Sequence, residues 1–161
     1  MATIDLLADQ IPACEIVATW LWEQWFRGQG CSREWVREMV ESRRQRDHLP
    51  LALVAVAGAR PIGTASLTEE YAPSGRERIC CLAGVYVLPE FRRRGVGTRL
   101  CERAVREAKR LGHDQLYLYT AGQEAFYAQR GWRKVADVAV DTSAAFELQA
   151  FMERTGTVSG Q

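Results

Sequence analysis

The stretch from 79 to 120 constrains the fold most. "ICCLAGVYVL" (79–88) is an apolar run without polar interruption, and Pro89 ends it. Such a run reads as a strand buried on both faces, and proline cannot continue its ladder. Beyond three arginines, Val96, Leu100, Ala104 and Ala108 recur at every fourth position and Gly112 offers a stop. That spacing predicts a helix from about Arg94 to Leu111. "QLYLYT" (115–120) is again a strand. Strand, helix and strand at this spacing make a βαβ unit with its two strands parallel and neighbouring, so the chain must be layered.

The remaining segments supply the layers. Residues 3–7 read as a short strand. Over 11–26, Ile11, Cys14, Ala18, Leu21, Trp22 and Trp25 fall on one helical face. Ser32 is a candidate N-cap for a second helix carrying Trp35, Met39 and Val40 inward, which ends in "ESRRQRD". "LPLALVAVAG" (49–58) and "RPIGTASLTE" (60–69) flank a Gly-Ala-Arg-Pro turn and predict a hairpin. "QEAFYAQR" is a short helix closed by Gly131, and "WRKVADVAV" and "AAFELQAF" add two strands. The expected order is β-α-α-β-β-β-α-β-α-β-β. It describes an α/β or α+β layered domain over 1–152, a mixed sheet with helices packed on it. Residues 153–161 read as a frayed tail.

The junction between strand 79–88 and its helix carries the chemistry. A helix start bares N–H groups without intrahelical partners and the positive end of the helix dipole. Gly95 and Gly97 let an oxyanion approach that backbone, and Arg92, Arg93 and Arg94 add donors suited to phosphate. Residues 92–110 hold eight basic and two acidic side chains in a chain of net charge +1. A compact polyanion such as a pyrophosphate suits the site, and a solvated basic helix face fits the same residues. The pattern is neither the dinucleotide GxGxxG nor a P-loop.

The neutral total gives no global argument for nucleic acid or membrane. Residues 92–111 contain no aromatics interleaved with the arginines, as single-stranded nucleic-acid binding would want. Cys14, Cys31, Cys80, Cys81 and Cys101 have no CxxC spacing, and the histidines are His48 and His113 alone. That inventory argues against zinc, and the scattered odd number argues for a reducing cytoplasm. The N-terminus lacks a basic n-region, and no apolar run approaches the ~20 residues that span a bilayer.

"VYVLPEFRRRGVGTRL" closely resembles the coenzyme A signature of the GNAT acyltransferase superfamily. The matching residues are Val87, Pro89, Phe91, Arg92, Gly95 and Gly97. "AFYAQRGW" is similar to that family's later FY-x-x-x-G-F/W segment, with Tyr127 in the tyrosine position. The resemblance implies the family's α/β (α+β) fold, a mixed, mostly antiparallel sheet of about six to seven strands with helices on both faces. It also implies acetyl-CoA as co-substrate, a primary amine (small molecule, peptide N-terminus or lysine) as acceptor, no metal, and direct attack of the amine on the thioester. It implies that the backbone of Val85, Tyr86 and Val87 pairs with the pantetheine arm, which requires the strand to splay from 115–120. Gly84 could supply the opening bulge or simply sit in a crowded core. Arg92, Arg93, Arg94, Gly95, Val96, Gly97 and Thr98 would hold the pyrophosphate, with Arg93 and Arg94 turned to the 3′-phosphate or to solvent.

Tyr127 would protonate the leaving thiolate, or else pack as a core tyrosine. Many relatives carry a carboxylate base on the central strand, and "ICCLAGVYV" has none. Glu69 and Glu70 are the nearest candidates, with Glu77 behind them, and each also reads as a solvated charge. Cys80 and Cys81 read as inert strand cysteines. Trp25 or Trp35 could line the acceptor pocket, and Arg43, Arg44 and Arg46 could attract an acidic acceptor or simply cap a solvated helix end. A GNAT-fold module that binds CoA without catalysis is the alternative reading, and pairing of the C-terminal edge strands would give a homodimer.

Overall fold

Why the second strand lacks polar alternation is plain once its two faces are followed. A computed structural model describes residues 2–141 and 146–155. In β2 (Leu51–Ala57), Leu51, Leu53 and Ala55 enter one core while Ala52, Val54 and Val56 enter another on the opposite face. A sheet covered on both sides makes every strand position apolar. The first core belongs to α3 (Val96–Arg110), whose Val96, Leu100, Cys101, Ala104, Val105 and Ala108 form one stripe. The second belongs to α1 (Cys14–Leu21) and α2 (Arg33–Glu41). Among the described residues no helix is long and apolar enough to cross a membrane.

Seven strands are ordered β1-β2-β3-β4-β5-β7-β6. They are β1 (Thr3–Leu6), β2, β3 (Arg60–Tyr71), β4 (Arg78–Val87), β5 (Gln115–Thr120), β6 (Arg133–Asp141) and β7 (Phe146–Thr155). Every neighbouring pair is antiparallel except β4 with β5, the parallel pair that α3 connects. A short helix α4 (Glu124–Ala128) follows β5. β7 continues through Thr155, so residues 153–155 are strand rather than tail; residues 156–161 and Ala144–Ala145 lie outside the described residues. The edge expected to pair between subunits belongs to β6, the outer strand on that side.

Two helical faces differ from expectation. Ile11 is 47% exposed and Trp25 38%, whereas Val17 and Trp20 turn inward. The segment winds as 3₁₀ over Ile11–Ala13, α over Cys14–Leu21 and π over Trp22–Phe26. Each change of winding rotates the face, so a constant 100° step misassigns both ends. In α2 the Ser32 Oγ caps the Trp35 N–H at 3.1 Å, as expected. Trp35 itself is 49% exposed and packs on Phe26, while Val36 and Val40 are buried.

β4 contains the bulge that shapes the site. Thr64 pairs with Tyr86, and two residues on, Ser66 pairs with Ala83, so β4 carries one extra residue there. Gly84 lies in this bulge at φ 60°. A Cβ at Gly84 would meet Leu21 at 3.6 Å and Arg43 at 3.8 Å, ordinary contacts, so the backbone and not crowding calls for glycine. Gly84→Ala is expected to cost about 1–2 kcal/mol of stability, the left-handed penalty of an L-residue, measured by urea unfolding. An unchanged midpoint would mean that the bulge relaxes freely.

Candidate active site

The turn between β4 and α3 is held from both sides. The Leu88 N–H bonds to Ile62 O at 2.9 Å, and a 3₁₀ turn over Pro89–Phe91 follows. Arg92 Nε donates back to Val87 O at 2.8 Å, with its guanidinium over the Tyr86 ring. Arg94 lies over Phe91. Arg93 takes φ 62° and Gly95 φ 80°, so left-handed residues set the exit angle. The helix begins at Val96, two residues later than the repeat alone places it, with no side-chain cap and no acidic residue in its first turn.

Among the described residues no side chain caps that helix start. A Cβ at Gly97 would meet Phe126 at 3.6 Å and Val87 at 3.8 Å, and one at Gly95 would meet nothing within 4 Å. Internal packing therefore does not demand a bare residue at 97. The Thr98 hydroxyl accepts from Arg130 Nε at 2.7 Å and keeps its own O–H, which stands as a donor beside the first-turn N–H groups. Among the described residues, Arg92, Arg93 and Arg94 have no carboxylate partner. The rest of the basic stretch is structural in part. Arg99 and Arg103 donate to Ala2 O and Ile4 O, each at 2.6 Å, and Arg110 pairs with Glu107 at 3.2 Å.

Beside this turn the parallel strands part. β4 and β5 are in register at Cys81 and Tyr117 alone, and beyond that point they separate. Tyr86 and Val87 remain paired to Thr64 and Gly63 on their other side. The β5-facing edge at Val85–Val87 is therefore open, half-buried and free for another extended chain.

A cleft of about 870 Å³ opens at this parting. Val85, Tyr127, Glu70, Arg43, Trp25 and Tyr119 line it, from six different elements or their ends. Tyr127 comes from α4 and belongs to the core as well, with Phe126 and Trp132 set edgewise on its ring at 5.0 and 5.8 Å. Burial, and secondarily Cys101, pushes its phenol well above the ordinary tyrosine range, so it stays protonated and can donate.

The two glutamates separate by strand parity. Thr68 and Glu70 face the cleft; Glu69 lies on the opposite face of β3 and pairs with Arg78 at 3.0 Å. Glu77 is exposed in the loop before β4 and does not line the cleft. Burial pushes the Cys80 and Cys81 thiols up to about 12, which makes them poor nucleophiles. Trp25 reaches the cleft, and Trp35 does not. Among the described residues no group of three or more His, Cys, Asp or Glu side chains could hold a metal ion.

Arg43 was one of three arginines in a charged run, and the fold separates it from the others. Arg44 pairs with Glu41 at 2.7 Å and Arg46 with Asp9. Arg43 turns into the cleft and donates to Ser66 Oγ at 3.0 Å, while its carbonyl accepts from the Ala52 N–H at 2.9 Å. Burial draws its pKa below the usual arginine value. Thr68, Tyr119 and Phe26 also line the cleft, and no local sequence signal marks them.

The splayed parallel pair, the bulged central strand and the uncapped helix start are features that the resemblance to the acyltransferase superfamily leads one to expect. The chain belongs to the acetyltransferase (GNAT) family, whose model matches residues 14–132. No curated protein matches it in sequence. Solved structures share the fold at low identity. An aminoglycoside 6′-N-acetyltransferase complexed with coenzyme A has a TM-score of 0.76 at 16% identity, covering 99% of both chains. An aminoglycoside 6′-acetyltransferase type Ii has a TM-score of 0.73 at 20% identity, covering 96% of this chain and 97% of that one. The yncA protein of Salmonella typhimurium, solved with acetyl-CoA, has a TM-score of 0.69 at 19% identity, covering 100% of this chain and 97% of that one.

Proposed function

We propose that the protein transfers an acetyl group from acetyl-CoA to a primary amine by direct attack in a ternary complex. The observation that carries this reading is the uncapped start of α3 just beyond β4, whose β5-facing edge opens where a cleft is lined by Val85, Tyr127 and Glu70. The first-turn N–H groups, with Arg92 to Arg94 around them, bind the pyrophosphate. Val85 to Val87 hold the pantetheine arm as an added strand. The bound thioester supplies the acyl group. Holding the amine in line with that carbonyl provides much of the acceleration.

In the step itself the N–C bond forms and the C–S bond breaks. The Tyr127 phenol gives its proton to the departing thiolate, and the proton that the nitrogen sheds as it becomes an amide restores the phenol. An alkylammonium of pKa ~10.4 must first lose a proton, which Glu70, or water reaching it, accepts. Glu69, turned away and paired to Arg78, is not assigned that role. All five cysteines are free, which supports action in a reducing cytoplasm.

Acetyl-CoA is expected to raise the melting temperature, because it binds the folded state alone. Free thiol should then be released in a primary-amine panel and not without amine. A shift without release would indicate a CoA-binding module; no shift at millimolar acetyl-CoA would remove both readings.

A further inference from the structure

We propose that the acceptor is an amino acid with an apolar or aromatic side chain, and that Arg43 receives its carboxylate at the cleft wall. The assignment rests on the acetyl-transfer reading and names its substrate class. Three observations on the cleft carry it.

The first is position. Arg43 Nη1 stands 3.8 Å from where a Cβ on Gly84 would be, so the guanidinium lies over the bulge, one residue before the open edge of Val85. An anion held there lies beside the acyl-transfer point. In an α-amino acid the amine is two bonds from the carboxyl carbon, so anchoring one group places the other.

The second is unmet bonding capacity. Arg43 donates to Ser66 and, among the described residues, has no carboxylate within ion-pair distance, while Arg44 and Arg46 from the same run do. A guanidinium has five donors in a fork that fits a carboxylate, and leaving it half-partnered in a low-dielectric wall is costly. Glu70 acts on it only at longer range. Thr68 Oγ1, on the same face of β3 between Ser66 and Glu70, is buried without a hydrogen-bond partner.

The third is the balance of the lining. Among the described residues, Glu70 is its one acidic side chain and Arg43 its one basic. A zwitterion meets complementary charges there, while a polycation such as an aminoglycoside finds a single carboxylate. Trp25, Phe26, Tyr71 and Tyr119 offer aromatic surface to a side chain.

The test compares matched pairs: L-phenylalanine with phenethylamine, L-tryptophan with tryptamine, L-leucine with isoamylamine. Thiol release from acetyl-CoA by the full chain is followed, with rates corrected for the fraction of free amine. The acid of at least one pair should show kcat/KM at least about tenfold higher, the effect of a charge-assisted forked bond. Arg43→Gln should collapse that ratio toward one through KM, and Arg43→Lys should restore part of it, since lysine keeps the charge without the fork.

Calorimetry with the N-acetyl products of the same pairs, with and without CoA, should show the same preference and the same loss, and it decides the assignment even without turnover. A wild-type ratio near one, a ratio that survives Arg43→Gln, or no binding of any acid overturns it. Such a result alongside a retained acetyl-CoA thermal shift and thiol release would leave acetyl transfer standing. Loss of the thermal shift itself would instead remove the reading beneath it.

Discussion

Tyr127→Phe is expected to lower turnover by about a hundredfold or more, with CoA affinity and folding nearly unchanged. General acids contribute roughly 10²–10⁴ to rate when placed at the leaving group. Burial raises the phenol's pKa, so its proton is present throughout the neutral and mildly alkaline range. The variant removes one hydroxyl and keeps the ring that Phe126 and Trp132 pack against. A mutant that loses stability by several kcal/mol would point to a core role instead; unchanged turnover in a stable mutant would remove the acid assignment. The sign of the shift also fixes the pH profile. A phenol whose folded pKa exceeds its unfolded value of 10.0 cannot cause a fall in rate below about pH 10. An alkaline limb at lower pH must come from another group.

Gly97→Asp is expected to weaken acetyl-CoA binding about a hundredfold and to leave the apo fold intact. The contact distances of 3.6 and 3.8 Å at that Cβ show that a small side chain fits. An acidic residue in the first turn favours the helix by about 0.3–1 kcal/mol through its dipole. The same carboxylate occupies the N–H groups and repels a diphosphate, so apo stability and ligand affinity move in opposite directions. The expected loss is about two orders of magnitude in affinity, or ~2.7 kcal/mol, and the thermal shift vanishes at ligand levels that saturate the wild type. Retained binding would put the phosphates elsewhere.

The sequence makes the central unit legible because its determinants are local. A proline stops the strand, glycines set the turn, and a four-residue repeat marks the helix; together they imply the parallel pair that the sheet contains. Gly84 is legible only as a weak spot, since its φ of 60° follows from pairing with β3. Strand parity was readable in β3. Ala65 and Leu67 alternate with Ser66 and Thr68, so even-numbered Glu70 follows the polar face and odd-numbered Glu69 the core face.

Other features are set by long-range contact. The face of the first helix depends on changes of winding that no constant period encodes. Arg43 looks identical to Arg44 and Arg46 along the chain. Its difference is a bond to Ser66, 23 residues away, together with a backbone tie to Ala52. Trp35, the right residue type for a core, is left outside because Val36 and Val40 complete the α2 stripe.

The claim that most depends on geometry is that the bare helix start at residues 93–98 grips a diphosphate. A crystal structure of the protein with coenzyme A tests it directly. The expected result has the pyrophosphate within hydrogen-bonding distance of those N–H groups and the pantetheine along Val85–Val87. Well-ordered coenzyme A with its phosphates bound away from this turn would contradict it.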